Sequence, residues 1–167
     1  MRTKTLLLTL SLVVGCYFAA HSQSTYKSAI GLRAGFPVAV TFKQFLFDQG
    51  AIEAFAGYRG YVGYGWFVTG ITYQHHFPFT IGSLEGFHWF IGGGAGVYFW
   101  NYNYTNDLAR TSVGILAVGG VDYKFEKIPL NVTADIMPAI FVGSNYRSGY
   151  SRFQAGLGAL SARYTFR

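Results

Sequence analysis

Cysteine is almost missing from this chain. Among 167 residues there is one, Cys16. It lies in an apolar leader, so removal of that leader would exclude disulfides, thiol catalysis and cysteine metal sites. Charge is scarce as well. Asp, Glu, Lys and Arg make up 12% of the residues, against about 25% in an average soluble domain. The 13 basic residues are scattered and form no patch of the kind that binds nucleic acid. Proline occurs 4 times. Beyond the leader no stretch is long and apolar enough for a transmembrane helix, which needs about 20 such residues. What is abundant is apolar and small: 51% hydrophobic residues, 19% aromatic, and 22 glycines. A soluble domain this apolar would need an unusually large core. A chain whose outside faces lipid would not.

The N-terminus reads as a secretion signal. Arg2 and Lys4 precede the apolar run "TLLLTLSLVVGCYFAA" (5–20), and Ala20-His21-Ser22 fits the small-x-small cleavage rule. Residues 1–22 are therefore expected to be removed, with 23–167 forming one domain whose formal charge falls from +6 to +4 on loss of Arg2 and Lys4. A membrane-anchor helix is the alternative, but the run is short for one. "VVGC" also loosely resembles a lipoprotein processing site at Cys16, although the apolar run continues past it.

The rest alternates with a period of two, the mark of strands. Eight segments show it, near 28–35, 39–47, 51–59, 66–77, 87–100, 113–125, 130–137 and 154–166. One parity of each is apolar, as in Ile30, Leu32 and Ala34, or Val113, Ile115 and Ala117. The other collects Gly, Thr, Asn, Gln and single charges. A soluble sandwich would turn that second face to water and enrich it in Lys and Glu. Here it is too rich in glycine and too poor in charge, and Gly92, Gly94 and Gly96 suit the crowded inside of a narrow barrel. Apolar-out and polar-in alternation is the transmembrane-barrel pattern, and strands of about 9–11 residues span a bilayer when tilted. The expectation is all-β: an eight-stranded antiparallel transmembrane β-barrel with both ends on the periplasmic side.

An eight-stranded barrel is only wide enough for its side chains to fill it. The expected inward charges are Arg33, Lys43, Glu53, Arg59, Asp122, Lys124, Asp135 and Arg163, five positive and three negative. Unpaired buried charge is costly, so mixed signs point to a hydrogen-bonded polar core. A narrow channel for small solutes is the alternative. The long connections 101–112 and 142–152 are expected outside as surface loops, with Tyr102, Tyr104, Arg110, Tyr146, Arg147, Tyr150 and Arg152 as contact residues. The 78–86 connection is expected to be a long periplasmic turn. Aromatics near strand ends (Tyr58, Tyr61, Tyr64, Trp66, Tyr98, Phe99, Trp100, Tyr164 and Phe166) are expected in girdles at the two membrane interfaces.

No catalytic, cofactor or metal site is expected. His75 and His76 are adjacent on a strand and point to opposite faces, so they cannot share one metal without distortion. "GGGAG" (92–96) lies mid-strand and lacks the helix a phosphate loop needs. Some small outer-membrane barrels modify lipid A, one kind with a Ser-His-acid set. Ser83, His76, His88 and Glu85 are available, but around a connection expected in the periplasm and without a His-x-Ser-Asn-type motif.

Several stretches carry a resemblance: "AIGLRAG", "AIEAFAGYRG", "WFIGGGAGVY", "VGGVDYKFEKIPLNVTADIMPA" and the ending "ARYTF". Together they resemble small outer-membrane β-barrel proteins of the porin-like and OmpX-like kind, including an uncharacterised Gram-negative group. The resemblance implies an outer-membrane location, contact with outer-membrane lipids and lipopolysaccharide, and insertion by the barrel-assembly machinery. It implies no catalytic residues. Tyr164 and Phe166 resemble the C-terminal recognition signal of such barrels, although that signal usually ends on the aromatic and here Arg167 follows.

Overall fold

The computed structural model describes residues 26–35, 37–61, 64–81, 84–102, 110–142, 152–155 and 158–166. The expected leader, Cys16, and the loop residues Tyr104, Tyr146, Arg147 and Tyr150 lie outside them. Ten strand segments run in chain order: β1 (Ser28–Ala34), β2 (Val38–Phe45), β3 (Gly50–Tyr61), β4 (Tyr64–Ile81), β5 (Leu84–Tyr102), β6 (Arg110–Lys124), β7 (Leu130–Ile136), β8 (Ala139–Val142), β9 (Phe153–Gln154) and β10 (Ala159–Phe166). They make eight staves. β7 and β8 both pair with β6 and continue one line past Met137–Pro138. Proline cannot donate to the ladder, but the Pro138 carbonyl still accepts from Ala117 N, so the line holds. β9 and β10 form the last stave, against β8 and β7.

Every pairing is antiparallel, and the sheet closes on itself. β1 lies between β2 and β10, and β5 pairs with β6, which closes the ring. The start of β1 and the end of β10 meet at one mouth, where Lys27 N donates to Phe166 O. We call this the terminal mouth and the other the far mouth. The barrel and its strand count are as expected from the alternation.

Two connections differ from expectation. β4 runs to Ile81 and β5 starts at Leu84, with a bulge near Phe79–Ile81, so 78–81 and 84–86 belong to strands and not to a long turn. Pro78 is tolerated inside β4 because β3 has already ended at Gly50, opposite His75. Likewise β5 reaches Tyr102 and β6 begins at Arg110, so these two belong to strands and not to a loop. Arg152 is exposed next to β9.

The period of two sorts the wall. Outward side chains are large and apolar: Leu32 is 63% exposed, Val38 62%, Ile115 57% and Leu160 62%. Tyr164 and Phe166 also point outward and pack edge to face at 5.1 Å. In water such a belt would be a severe aggregation liability. In lipid it costs nothing. Leu32→Arg is therefore expected to destabilise a barrel folded in lipid vesicles by up to about 4 kcal/mol, read as a lowered urea midpoint. Thr111→Arg, on the outward face of β6 beside the far mouth, should cost far less.

Candidate functional site: the lumen

The inside inverts the outside. Arg33, Lys43, Glu53, Asp122, Lys124, Asp135 and Arg163 are all buried, none more than 8% exposed. The alternation puts them there: each shares a strand parity with other inward residues, and the barrel's curvature turns that parity to the centre.

Arg163 is the hub. On β10 it stands beside Gly31 of β1, which in turn stands beside Thr41 of β2. Gly31 has no side chain, so the guanidinium passes over it. Nε donates to Thr41 Oγ1 at 2.9 Å, Nη1 to Thr133 Oγ1 at 2.6 Å, and Nη2 to Glu53 Oε1 at 2.5 Å. One side chain thereby ties β10 to β2, β7 and β3. Glu53 Oε2 accepts from Gln74 Nε2 at 2.6 Å, extending the network to β4. Asp122 of β6 accepts from Asn131 Nδ2 and Thr133 Oγ1, each at 2.8 Å. Lys43 Nζ lies between the acids, 3.8 Å from Glu53 Oε2 and 3.7 Å from Asp122 Oδ1, and 4.9 Å from the centre of the Phe90 ring. A separate pair, Arg33 with Asp135, joins β1 to β7. Lys124, near the terminal mouth, donates to the carbonyls of Phe125 and Ile128, the latter at 2.9 Å.

Arg59 stands elsewhere. It is half-buried on β3 opposite Trp66, further toward the far mouth than Glu53. The lumen there is mainly apolar. Phe55, Trp66, Val68, Tyr98, Leu116, Ala139 and Phe141 form one buried apolar cluster, with Trp100 and Met137 packed against it. Tyr98 meets Phe141 edge to face at 4.9 Å and Trp66 at 5.4 Å. Trp66 and Tyr98, expected in a girdle, are 4% exposed and belong to this plug. Their parity gave the signal: Trp66 shares it with Gln74 and His76, which also point inward.

Rings close the terminal side as well. Tyr26 packs on Phe45 at 5.1 Å, Phe45 on His76 at 5.0 Å, and His76 stacks on Phe90 at 5.0 Å. Tyr26 precedes β1, and burial pushes its phenol well above the ordinary tyrosine range. His75 faces the other way from His76, with Nδ1 3.4 Å from the Tyr73 hydroxyl. His76 and His88 approach, ring centres 6.3 Å apart. Ser83 lies outside the described residues. Among the described residues no three metal-ligating side chains come together at a metal-binding geometry.

The lumen is therefore a polar layer held between two aromatic layers. Chemically it can pair charges and fix neighbouring staves. Comparison with known proteins bears on the fold. No family model and no curated protein matches this chain. Among solved structures it is similar to the N-terminal β-barrel domain of Pseudomonas aeruginosa OprF, with a TM-score of 0.60 and 14% identity over 86% of this chain and 98% of that one. At that identity the likeness concerns the fold.

Proposed function

We propose that this protein is an outer-membrane β-barrel with a structural or surface-interaction role and a lumen closed by its own side chains. One observation carries the reading: the inside-out distribution of side chains. Seven charged residues are buried within, while a belt of large apolar side chains covers a closed barrel without. That arrangement is favourable where the solvent is lipid. The OprF barrel's fold agrees with it.

The outward Tyr164 and Phe166 support recognition by a barrel-assembly machinery, and the apolar belt supports contact with outer-membrane lipids. The connections expected outside, 101–112 and 142–152, fall largely beyond the described residues and are the candidates for contact with lipopolysaccharide or an extracellular partner, with exposed Arg152 next to β9 in the second. A narrow channel is disfavoured because Phe55, Trp66, Tyr98, Leu116 and Phe141 occupy the far half of the lumen.

The test is fractionation with gel mobility. The protein should remain with the outer membrane and migrate differently before and after boiling. Recovery as a soluble periplasmic protein without that shift would refute the reading. Purified protein in planar bilayers should show no steady single-channel conductance. Large stable currents would replace the closed lumen with the channel.

A further inference from the structure

Where the polar layer meets the far apolar plug, the lumen holds a small cavity. Arg33, Glu53, Thr72, Gln74 and Asp135 line it from the polar side, and Phe55, Val118 and Met137 from the apolar side. It offers about 10 Å³ to the centre of a water-sized body, room for a single water molecule.

Two polar atoms of its lining residues, Arg33 Nη1 and Gln74 Oε1, are buried and lack a hydrogen-bond partner among the described residues. Arg33 is 3% exposed and Gln74 2%. Leaving either atom bare would cost about 1–3 kcal/mol, more for the charged one. Their senses are opposite. Arg33 Nη1 can only donate. The Gln74 amide is oriented by its nitrogen, which donates to Glu53 Oε2 at 2.6 Å. Its oxygen is therefore the acceptor left over.

An occupant must accept from the guanidinium and donate to the amide oxygen, at the size of one water. A cation would meet Arg33. An anion would meet Glu53, Asp135 and the Gln74 oxygen. A neutral molecule that is both donor and acceptor satisfies every wall. We propose that this cavity is an internal water site, and that the water joins the Arg33–Asp135 pair to the Arg163–Glu53–Gln74 network. The two parts of the polar layer, on β1 and β7 and on β10, β3 and β4, then form one hydrogen-bonded unit.

The experiment uses the full barrel in detergent micelles with labelled valine and isoleucine methyls. A nuclear Overhauser cross-peak from a long-lived water to a Val118 methyl is expected. Its absence would overturn the proposal. Val118→Ile then adds one methyl group to the cavity. If the cavity holds water, no water cross-peak reaches the isoleucine methyls at position 118 and the denaturant midpoint falls, because Arg33 Nη1 and Gln74 Oε1 lose their partner. If it is dry, the methyl fills a void and the midpoint rises, which would also overturn the proposal. A cross-peak from the same water that persists in the folded variant would place that water elsewhere and overturn the proposal too.

Discussion

Gly94→Ala is expected to yield no folded barrel. A Cβ at Gly94 would stand 2.0 Å from the Ile71 carbonyl oxygen and 2.7 Å from the Thr72 Cα. Both are backbone atoms of the adjoining stave, so no rotamer change relieves the clash. β4 and β5 must part, and their pairing is the longest in the barrel, with Gly94 opposite Thr72 and Gly92 opposite Gln74. Gly92 repeats the geometry, 1.9 Å from the Tyr73 carbonyl oxygen. These inward glycines let the wall coil tightly and leave Thr72 and Gln74 room to face the polar layer. Opening the seam therefore breaks the ladder and displaces Gln74 from Glu53 together. The measurement is refolding into detergent, followed by gel mobility without boiling: the compact band should be lost. Gly119→Ala is the control. Its Cβ would meet the Phe90 oxygen at 3.5 Å, an ordinary contact, and it should refold like the native chain. A Gly94→Ala barrel of native stability would show that the seam can open without loss.

The same glycines mark what was legible in the sequence. Alternation alone located all eight staves, the closing strand and the inward parity, because a single buried charge such as Arg33 or Lys43 labels a whole face. It misplaced Trp66 and Tyr98. Near the far mouth both parities are apolar, as in Trp66-Phe67-Val68 and Tyr98-Phe99-Trp100, and the local pattern loses its contrast. Extending the period from Gln74 would have placed Trp66 inside. The strand character of 78–81 and 84–86 was hidden for another reason. Pro78, Gly82 and Ser83 read as breakers, and only the register shows that Pro78 lies past the end of β3, where no donor is needed. The network's pairs were not legible. Which acid Arg163 meets depends on the stagger around the ring, which no single strand encodes. The stagger brings Glu53, three staves away, to 2.5 Å.

That pairing sets the other large effect. Arg163→Met should destabilise the barrel by about 3–5 kcal/mol, the usual cost of breaking a buried ion pair from one side. Methionine approximates the side-chain volume, so the loss is one of charge and hydrogen bonds. Glu53 keeps Gln74 at 2.6 Å, but its remaining cation is Lys43 at 3.8 Å, already shared with Asp122. Thr41 and Thr133 lose their donor as well. Arg163→Lys should recover only part. An ammonium carries the charge but cannot present the fork that reaches Thr41, Thr133 and Glu53 together. Arg163→Met combined with Glu53→Gln should be more stable than Arg163→Met alone, because the stranded carboxylate is gone and the amide can still meet Gln74. The readout is the urea midpoint of tryptophan fluorescence in lipid vesicles, taken over the full double-mutant cycle. Strong coupling means that the ion pair acts as one unit binding β3 to β10. Simple additivity would mean that Arg163 stabilises the barrel through its threonine contacts, and that the charge of Glu53 is met by Lys43.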